Sequence, residues 1–194
     1  DHHWTMRGAY AAYEALIRTL SERLDEPISP MPYHAESTYC LKNEFLGSWN
    51  KILAMTIEND DKVCYNEPID FSETLTVYER TAMREYEADL NRLYGVAKGF
   101  EESRPVNYSE AYSRDHIELN IFNEQPDTDK HVVVIKDSYF NPIQFHVASH
   151  FKQLTIIDLR YFDQPLIEFL KELRPDHVIL AYNDRNMNVY LENE

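Results

Sequence analysis

Loops that cradle phosphate are the first thing this sequence lacks. Only four glycines occur in 194 residues, and none falls in a G-x-G-x-x-G or G-K-[ST] pattern, so the backbone cradles those motifs build are excluded. Positive charge is scarce as well: 19 Lys and Arg stand against 34 Asp and Glu, for a net charge of −15. A chain this acidic repels a phosphate backbone, which excludes nucleic-acid binding through a basic face. No apolar run reaches the roughly 18 to 20 residues that span a bilayer, so no transmembrane segment is predicted in this chain. Cysteine is nearly absent. Cys40 and Cys64 stand in no C-x-x-C or Cys/His spacing, which argues against a zinc site and leaves a disulfide and two buried thiols both open. A charged n-region followed by an apolar h-region is also missing, so the residues present neither establish nor exclude secretion.

What is there suffices for a core. Hydrophobic residues make up 43% and aromatics 13%, which excludes a disordered or collagen-like chain. The length suits one domain, or one domain carrying an insertion. The chain opens Asp1-His2-His3-Trp4 without an initiator Met, and a portion upstream of Asp1 is expected to belong to the parent protein.

Met6, Tyr10, Tyr13, Ile17, Leu20 and Leu24 recur at three- and four-residue spacings and predict a first helix, with Thr5 as its N-cap and Pro27, Pro30 and Pro32 beyond its end. Residues 34–130 read as an inserted, irregular α+β region. Within it, a short helix is predicted over Tyr39 to Trp49 and short strands over Lys62–Tyr65, Thr74–Tyr78 and Ile117–Phe122, with a helix over Glu79 to Tyr94 by composition. From Lys130 the pattern sharpens. His131–Ile135 is a continuous apolar, β-branched run of the kind buried on both faces, Leu154–Leu159 reads as a second buried strand and His177–Tyr182 as a third strand, with helices predicted over Pro142–His150 and Gln164–Leu173. Strands alternating with helices over short connections predict a parallel sheet with right-handed crossovers. Ligands bind beyond the carboxyl ends of such strands, where Ser138, Arg160 and Asn183 all fall.

A serine nucleophile needs a base, a group that orients the base, and donors for the developing oxyanion. Ser138 sits at a strand-to-helix junction, where its N–H faces a bound carbonyl. His3 is the candidate base and Asp1 its orienting carboxylate. Asn183 is the candidate second oxyanion donor, Arg160 offers a fork for a carboxylate or a sugar hydroxyl, and Tyr139 offers a hydroxyl beside the site. A helix cap is the competing role for Ser138 and Asp137, packing for Tyr139, and an ion pair within the strand-end loop for Asp158 and Arg160.

Asp1-His2-His3-Trp4-Thr5, Gly8-Ala9-Tyr10, Ile135-Lys136-Asp137-Ser138-Tyr139 and Ile157-Asp158-Leu159-Arg160-Tyr161-Phe162 together resemble the DHHW protein family, with fainter similarity at Phe45-Leu46-Gly47-Ser48. That family is similar to the SGNH hydrolases and especially to the alginate O-acetylating enzymes. The resemblance implies that Asp1 and His3 match the Asp-x-His of the acetylating group and that Lys136-Asp137-Ser138 matches its Gly-Asp-Ser nucleophile block. Ala181-Tyr182-Asn183-Asp184 matches the Gly-x-Asn-Asp block. Lys136 and Ala181 stand where glycines are usual, which implies an altered oxyanion hole. The Asp/His block precedes the Ser block here, which implies a circularly permuted SGNH fold whose upstream strands lie before Asp1.

The expected fold is therefore α/β, a three-layer α/β/α sandwich of flavodoxin-like, SGNH-like type with a mostly parallel sheet, formed by 1–194 with an insertion at 34–130. The expected function, as the resemblance implies, is a serine-dependent ester hydrolase or O-acyltransferase acting on a cell-surface or extracellular glycan, without metal or organic cofactor and outside the cytoplasm. The competing reading is a catalytically inactive surface protein of the same fold that binds glycan or serves in assembly. The letters Asp-His-His also occur in metal-dependent phosphoesterases, but these need several further Asp/His ligand motifs, and none is evident.

Overall fold

The computed structural model describes residues 1–25, 28–33, 38–53, 61–66 and 70–183. Pro27 and Asp184, which entered the reading of the sequence, lie outside the described residues.

The chain runs α1 (Met6–Leu24), β1 (Thr38–Cys40), α2 (Ser48–Ile52), β2 (Cys64–Asn66), β3 (Leu75–Arg80), β4 (Glu85–Ala88), α3 (Leu90–Leu93), α4 (Tyr108–Tyr112), β5 (Glu118–Asn123), β6 (Thr128–Lys136), α5 (Gln144–Ala148), β7 (Phe151–Ile157), α6 (Leu166–Leu173) and β8 (His177–Ala181), with a 3₁₀ turn over Ser138–Ile143. Six strands form one mixed sheet in the order β4-β3-β5-β7-β6-β8. β6 pairs in parallel with β7 and β8, whereas β3 with β4, β3 with β5 and β5 with β7 are antiparallel. The sheet is thus not mostly parallel, contrary to the expectation from the C-terminal pattern. The reason lies in 34–130: this stretch supplies β3, β4 and β5 to the same sheet, extending the parallel strands with antiparallel ones.

Alternate residues of β6 serve two faces, as the strand period requires. Val132 and Val134 pack in a cluster with Tyr13 and Ile17 of α1 and Phe145 of α5, and Val133 and Ile135 pack with Leu166, Phe169 and Leu170 of α6. α1 buries Met6, Ala9, Tyr10, Tyr13 and Ile17, the apolar stripe of its sequence, and Thr5 Oγ1 caps it by accepting the Gly8 N–H. Each fully buried aliphatic side chain of this kind stabilises the fold by about 1.5–3 kcal/mol relative to its exposed state.

Two helix predictions are corrected. Tyr39 lies in β1, and the helix begins only at Ser48; Cys40 pairs with Cys64 across β1 and β2, and the two form a disulfide. The stretch Glu79–Tyr94 holds the end of β3, a turn, β4 and the short α3 instead of one helix. Its charged composition suits a helix, but Leu75, Val77 and Glu79 are buried at a period of two, and Glu79 finds enough partners in the interior to stay there.

The register brings one rim of the sheet together. Lys136 pairs with Ala181, Ile135 with Ile157, Ile157 with Glu118 and Glu118 with Arg80. The carboxyl ends of β3, β6, β7 and β8 therefore sit beside the entry to β5, and residues 79–80, 113–118, 137–138, 158–160 and 182–183 converge there.

Candidate active site

Asp137 begins the site by ending β6. Its Oδ1 accepts the Tyr139 N–H at 3.0 Å, capping the 3₁₀ turn, while Oδ2 accepts the Asn183 N–H at 2.9 Å and the Asn183 side-chain amide at 2.5 Å. One fully buried carboxylate thus ties the end of β6 to the end of β8 and leaves Ser138 at the first position of the turn. The N–H groups of a first helical turn have no acceptor within the helix, so the Ser138 N–H is left over by the turn's own hydrogen bonds.

The segment before α1 crosses this rim. His3 Nε2 lies 3.0 Å from Ser138 Oγ, and His3 Nδ1 lies 2.5 Å from Asp1 Oδ1. The same Asp1 oxygen accepts the His3 backbone N–H at 2.9 Å, and Asp1 Oδ2 accepts the Ser48 N–H at 2.7 Å. An ionised carboxylate that accepts from Nδ1–H leaves Nε2 with its lone pair toward Ser138, so the hydroxyl donates to Nε2. Asp1, His3 and Ser138, which the sequence places 137 positions apart at the extremes, stand in one hydrogen-bonded file.

Five residues outside the candidate set hold this file. Tyr108 stacks on the His3 ring, with centroids 3.6 Å apart and planes 7° apart, and its hydroxyl donates to the Ser138 carbonyl at 2.9 Å. Asn107 and Glu110 form a capping box that sets where α4, and so Tyr108, begins. Gly47 and Ser48 reach Asp1 because the chain at 44–46 bridges to Val106. A Cβ on Gly47 would stand 2.9 Å from the Asp1 nitrogen, so the close approach requires glycine there. Asx-x-x-Glu at 107–110 and the fainter similarity at Phe45–Ser48 are the local signals for these residues; the stacking of Tyr108 leaves no trace in the sequence.

Asp115 is a sixth such residue. It lines a cavity of about 310 Å³ together with His3, Ser48, Tyr108, Ser138 and Arg160. Its carboxylate meets Arg160 Nη2 at 2.9 Å, Asn141 Nδ2 at 3.2 Å and Lys136 Nζ at 3.3 Å. Lys136, at the usual glycine position, is fully buried and turns away from the cleft: its Nζ donates to Asn141 Oδ1 at 2.8 Å and lies 3.6 Å from Asp158 Oδ2.

The remaining candidates divide. Arg160 lines the Ser138 cleft; its Nε and Nη2 donate to Asp158 at 2.9 and 2.5 Å, Nη2 also reaches Asp115, and Nη1 takes no part in these bonds. Asn183 and Tyr139 line a separate, largely apolar cavity of about 250 Å³ with Trp4, Leu16 and Ile179. The Asn183 amide is turned to Asp137, and the Tyr139 hydroxyl donates to the His2 carbonyl at 2.5 Å. The structure therefore brings Asp1, His3, Ser138 and Arg160 to one cleft and places Asn183 and Tyr139 beside it.

Burial takes the His3 imidazole from 6.5 down to about 4, against the pull of Asp115 and Asp137 and with some help from Arg160. His3 is therefore neutral at physiological pH, the form that accepts a proton. Burial also raises the Tyr108 hydroxyl well above its ordinary value, so it remains a donor. Asp1, His2 and His3 offer ligand atoms within 4.8 Å of one another. The Asp1–His3 contact at 2.5 Å is a hydrogen bond, and an ion there would take the Nδ1 proton that fixes the tautomer.

No family model matches this chain, and no curated protein matches it. Solved structures do. PatB1 from Bacillus cereus is 27% identical over 96% of this chain and 61% of its own, with a TM-score of 0.79. A second PatB1 structure, described as carrying a sulfonyl adduct, gives 26%, 96%, 60% and 0.78. A DHHW family protein from Eubacterium siraeum shares the fold at 18% identity, over 98% of this chain and 62% of that one, with a TM-score of 0.67. The chain spans about 60% of the length of these structures.

Proposed function

We propose that this chain carries a serine-dependent acyl-transfer site, an O-acyltransferase or ester hydrolase, in which Ser138 is the nucleophile, His3 the general base and Asp1 its orienting carboxylate. The observation that carries the reading is the His3 ring held between Asp1 at 2.5 Å and Ser138 at 3.0 Å, oriented at Nδ1 and within working distance for proton transfer at Nε2. His3 Nε2 takes the Ser138 proton as Oγ bonds to an acyl carbon. The carbonyl oxygen gains negative charge beside the Ser138 N–H, and His3 returns the proton to the departing group. A hydroxyl or water then attacks the acyl-serine as His3 takes its proton, and the acyl–Oγ bond breaks as His3 returns that proton to Ser138.

We assign the second oxyanion donor to Arg160 through Nη1, because Arg160 shares the cleft with Ser138 whereas the Asn183 amide is spent on Asp137. The cleft also presents Lys51, Asn107 and Ser109, a polar lining that suits a carbohydrate hydroxyl as acceptor. The circularly permuted SGNH arrangement and an extracytoplasmic site of action belong to the same proposal; the Cys40–Cys64 bridge supports the latter, since disulfides persist in oxidising compartments.

The sulfonyl adduct described for PatB1 suggests the test. Incubation with an arylsulfonyl fluoride should add one sulfonyl group to the intact mass, mapped to Ser138, and Ser138→Ala should take up none. A wild-type chain that stays unlabelled, or labels elsewhere, would favour the non-catalytic, glycan-binding reading.

A further inference from the structure

Beneath the cleft lies a second file of the same chemistry. Ser113 Oγ is 3.0 Å from His116 Nε2, and His116 Nδ1 is 2.8 Å from Glu79 Oε1. All three residues are 2% exposed. Burial alone would raise the Glu79 carboxyl, but hydrogen bonds from His116 and Tyr86 and the charge of Arg114 bring it down to about 2. Burial also lowers His116, so a neutral ring donates from Nδ1 to ionised Glu79 and accepts the Ser113 hydroxyl proton at Nε2. Arg114 Nη2 closes the far side of Glu79 at 2.7 and 2.8 Å, and the Tyr86 hydroxyl donates at 2.7 Å.

A file so enclosed admits no substrate, and its serine is held for another purpose. Ser113 has φ 154° and ψ 155°, a conformation that side-chain-bearing residues seldom adopt and that persists only where neighbours over-determine it. The over-determination is visible: the Ser113 hydroxyl is taken by His116, and its carbonyl accepts Asn141 Nδ2 at 3.2 Å. With residues 113 and 116 pinned, the two between them diverge. Arg114 turns back to Glu79, and Asp115 reaches the cleft, where it meets Arg160, while Asn141 and Lys136 hold it from the buried side.

We propose that the Glu79–His116–Ser113 file is a positioning device that delivers Asp115 to the cleft, where Asp115 holds the Arg160 guanidinium and sets the charge around His3. The consequence for turnover rests on the reading of His3 as the base; the placement itself does not. His3 is faced by the carboxylate and amino group of Asp1 and by His2 from its own segment, by Asp115 and Arg160 in the cleft, by Asp137 beside Ser138 and by the hydroxyls of Tyr108 and Tyr139. Of these, Asp115 is the carboxylate whose position the buried file controls.

Histidine ¹³Cε1 chemical shifts followed against pH in the intact chain test the proposal without relying on activity. Asp115→Asn should lower the His3 midpoint by about 0.5–1 pH unit, the size of one partly screened charge a few ångströms away. Ser113→Ala and His116→Phe should reproduce that fall, and adding either to Asp115→Asn should lower it no further. Should His116→Phe fail to fold, Ser113→Ala, which deletes one hydroxyl, decides the question. A wild-type midpoint in Ser113→Ala, or in Asp115→Asn itself, overturns the proposal. An inactive wild-type chain would count against the acyl-transfer reading alone, since the titration is read without turnover.

Discussion

Replacing Asp1 by asparagine tests its proposed orienting role with the least change in shape. All three hydrogen bonds to the Asp1 carboxylate come from N–H donors: the His3 backbone at 2.9 Å, His3 Nδ1 at 2.5 Å and the Ser48 backbone at 2.7 Å. Asparagine offers one acceptor oxygen and an NH₂ that only donates. With its oxygen toward His3, the NH₂ meets the Ser48 N–H, donor against donor. With its NH₂ toward His3, the ring escapes only by moving its own proton to Nε2, which removes the lone pair that Ser138 needs. In the first arrangement a partly buried N–H is orphaned, at a cost of about 1–3 kcal/mol in stability. In the second the base is in the wrong tautomer, which lowers kcat by about 10³- to 10⁴-fold, or roughly 4–5.5 kcal/mol of transition-state stabilisation. Asp1→Asn should therefore stay folded while losing most turnover of a chromogenic acetyl ester. A variant with kcat within about threefold of wild type, at an unchanged melting temperature, would refute the reasoning, because the tautomer would then not depend on Asp1.

Gly47→Ala drives a methyl against the Asp1 backbone, 2.9 Å from its nitrogen and 3.1 Å from its Cα; it should cost about 1–3 kcal/mol in stability and, by displacing Asp1, about 10²-fold in kcat, whereas wild-type turnover would show that the approach is dispensable. Lys136→Met removes the cation that Asp115 and Asp158 share at 3.3 and 3.6 Å, so denaturant titration should show a loss of about 3 kcal/mol even with Arg160 still in place, and an unshifted midpoint would contradict the pairing. Because burial brings His3 from 6.5 to about 4, the base form persists as pH falls, and kcat/KM should stay level from neutrality through pH 6.5 and decline only on approach to about pH 4. An acid limb centred near 6.5 would contradict the burial of the ring.

Asp115, Arg160 and Lys136 show how the site and the core are one electrostatic unit. Two cations and the carboxylates of Asp115 and Asp158 are matched within 2.5–3.6 Å of one another. Buried charges survive only when paired and hydrogen-bonded, and here the pairing also fixes the side chain that the cleft presents. A guanidinium held by two carboxylates acts as a rigid donor rather than a free cation, which fits a neutral acyl carbonyl.

Residues 130–182 were legible because their signal is local. A strand buried on both faces reads as an apolar run, as Val132 to Ile135 does throughout and Leu154 to Ile157 does apart from Thr155, and α6 leaves its apolar stripe in the chain. The first helix was legible for the same reason, down to the Thr5 cap. The antiparallel half was not. Glu79 reads as a surface residue until Arg114, His116 and Tyr86, from 7 to 37 positions away, make its burial tolerable. Short motifs named Asp1, His3 and Ser138, but which strand-end residue shares their cleft depended on where side chains point: Arg160 turns in, and Asn183 is claimed by Asp137. The stacking of Tyr108, the N–H of Ser48 and the delivery of Asp115 belong wholly to the tertiary structure, since each depends on backbone brought close by pairing between distant segments, and no residue's own propensity encodes that.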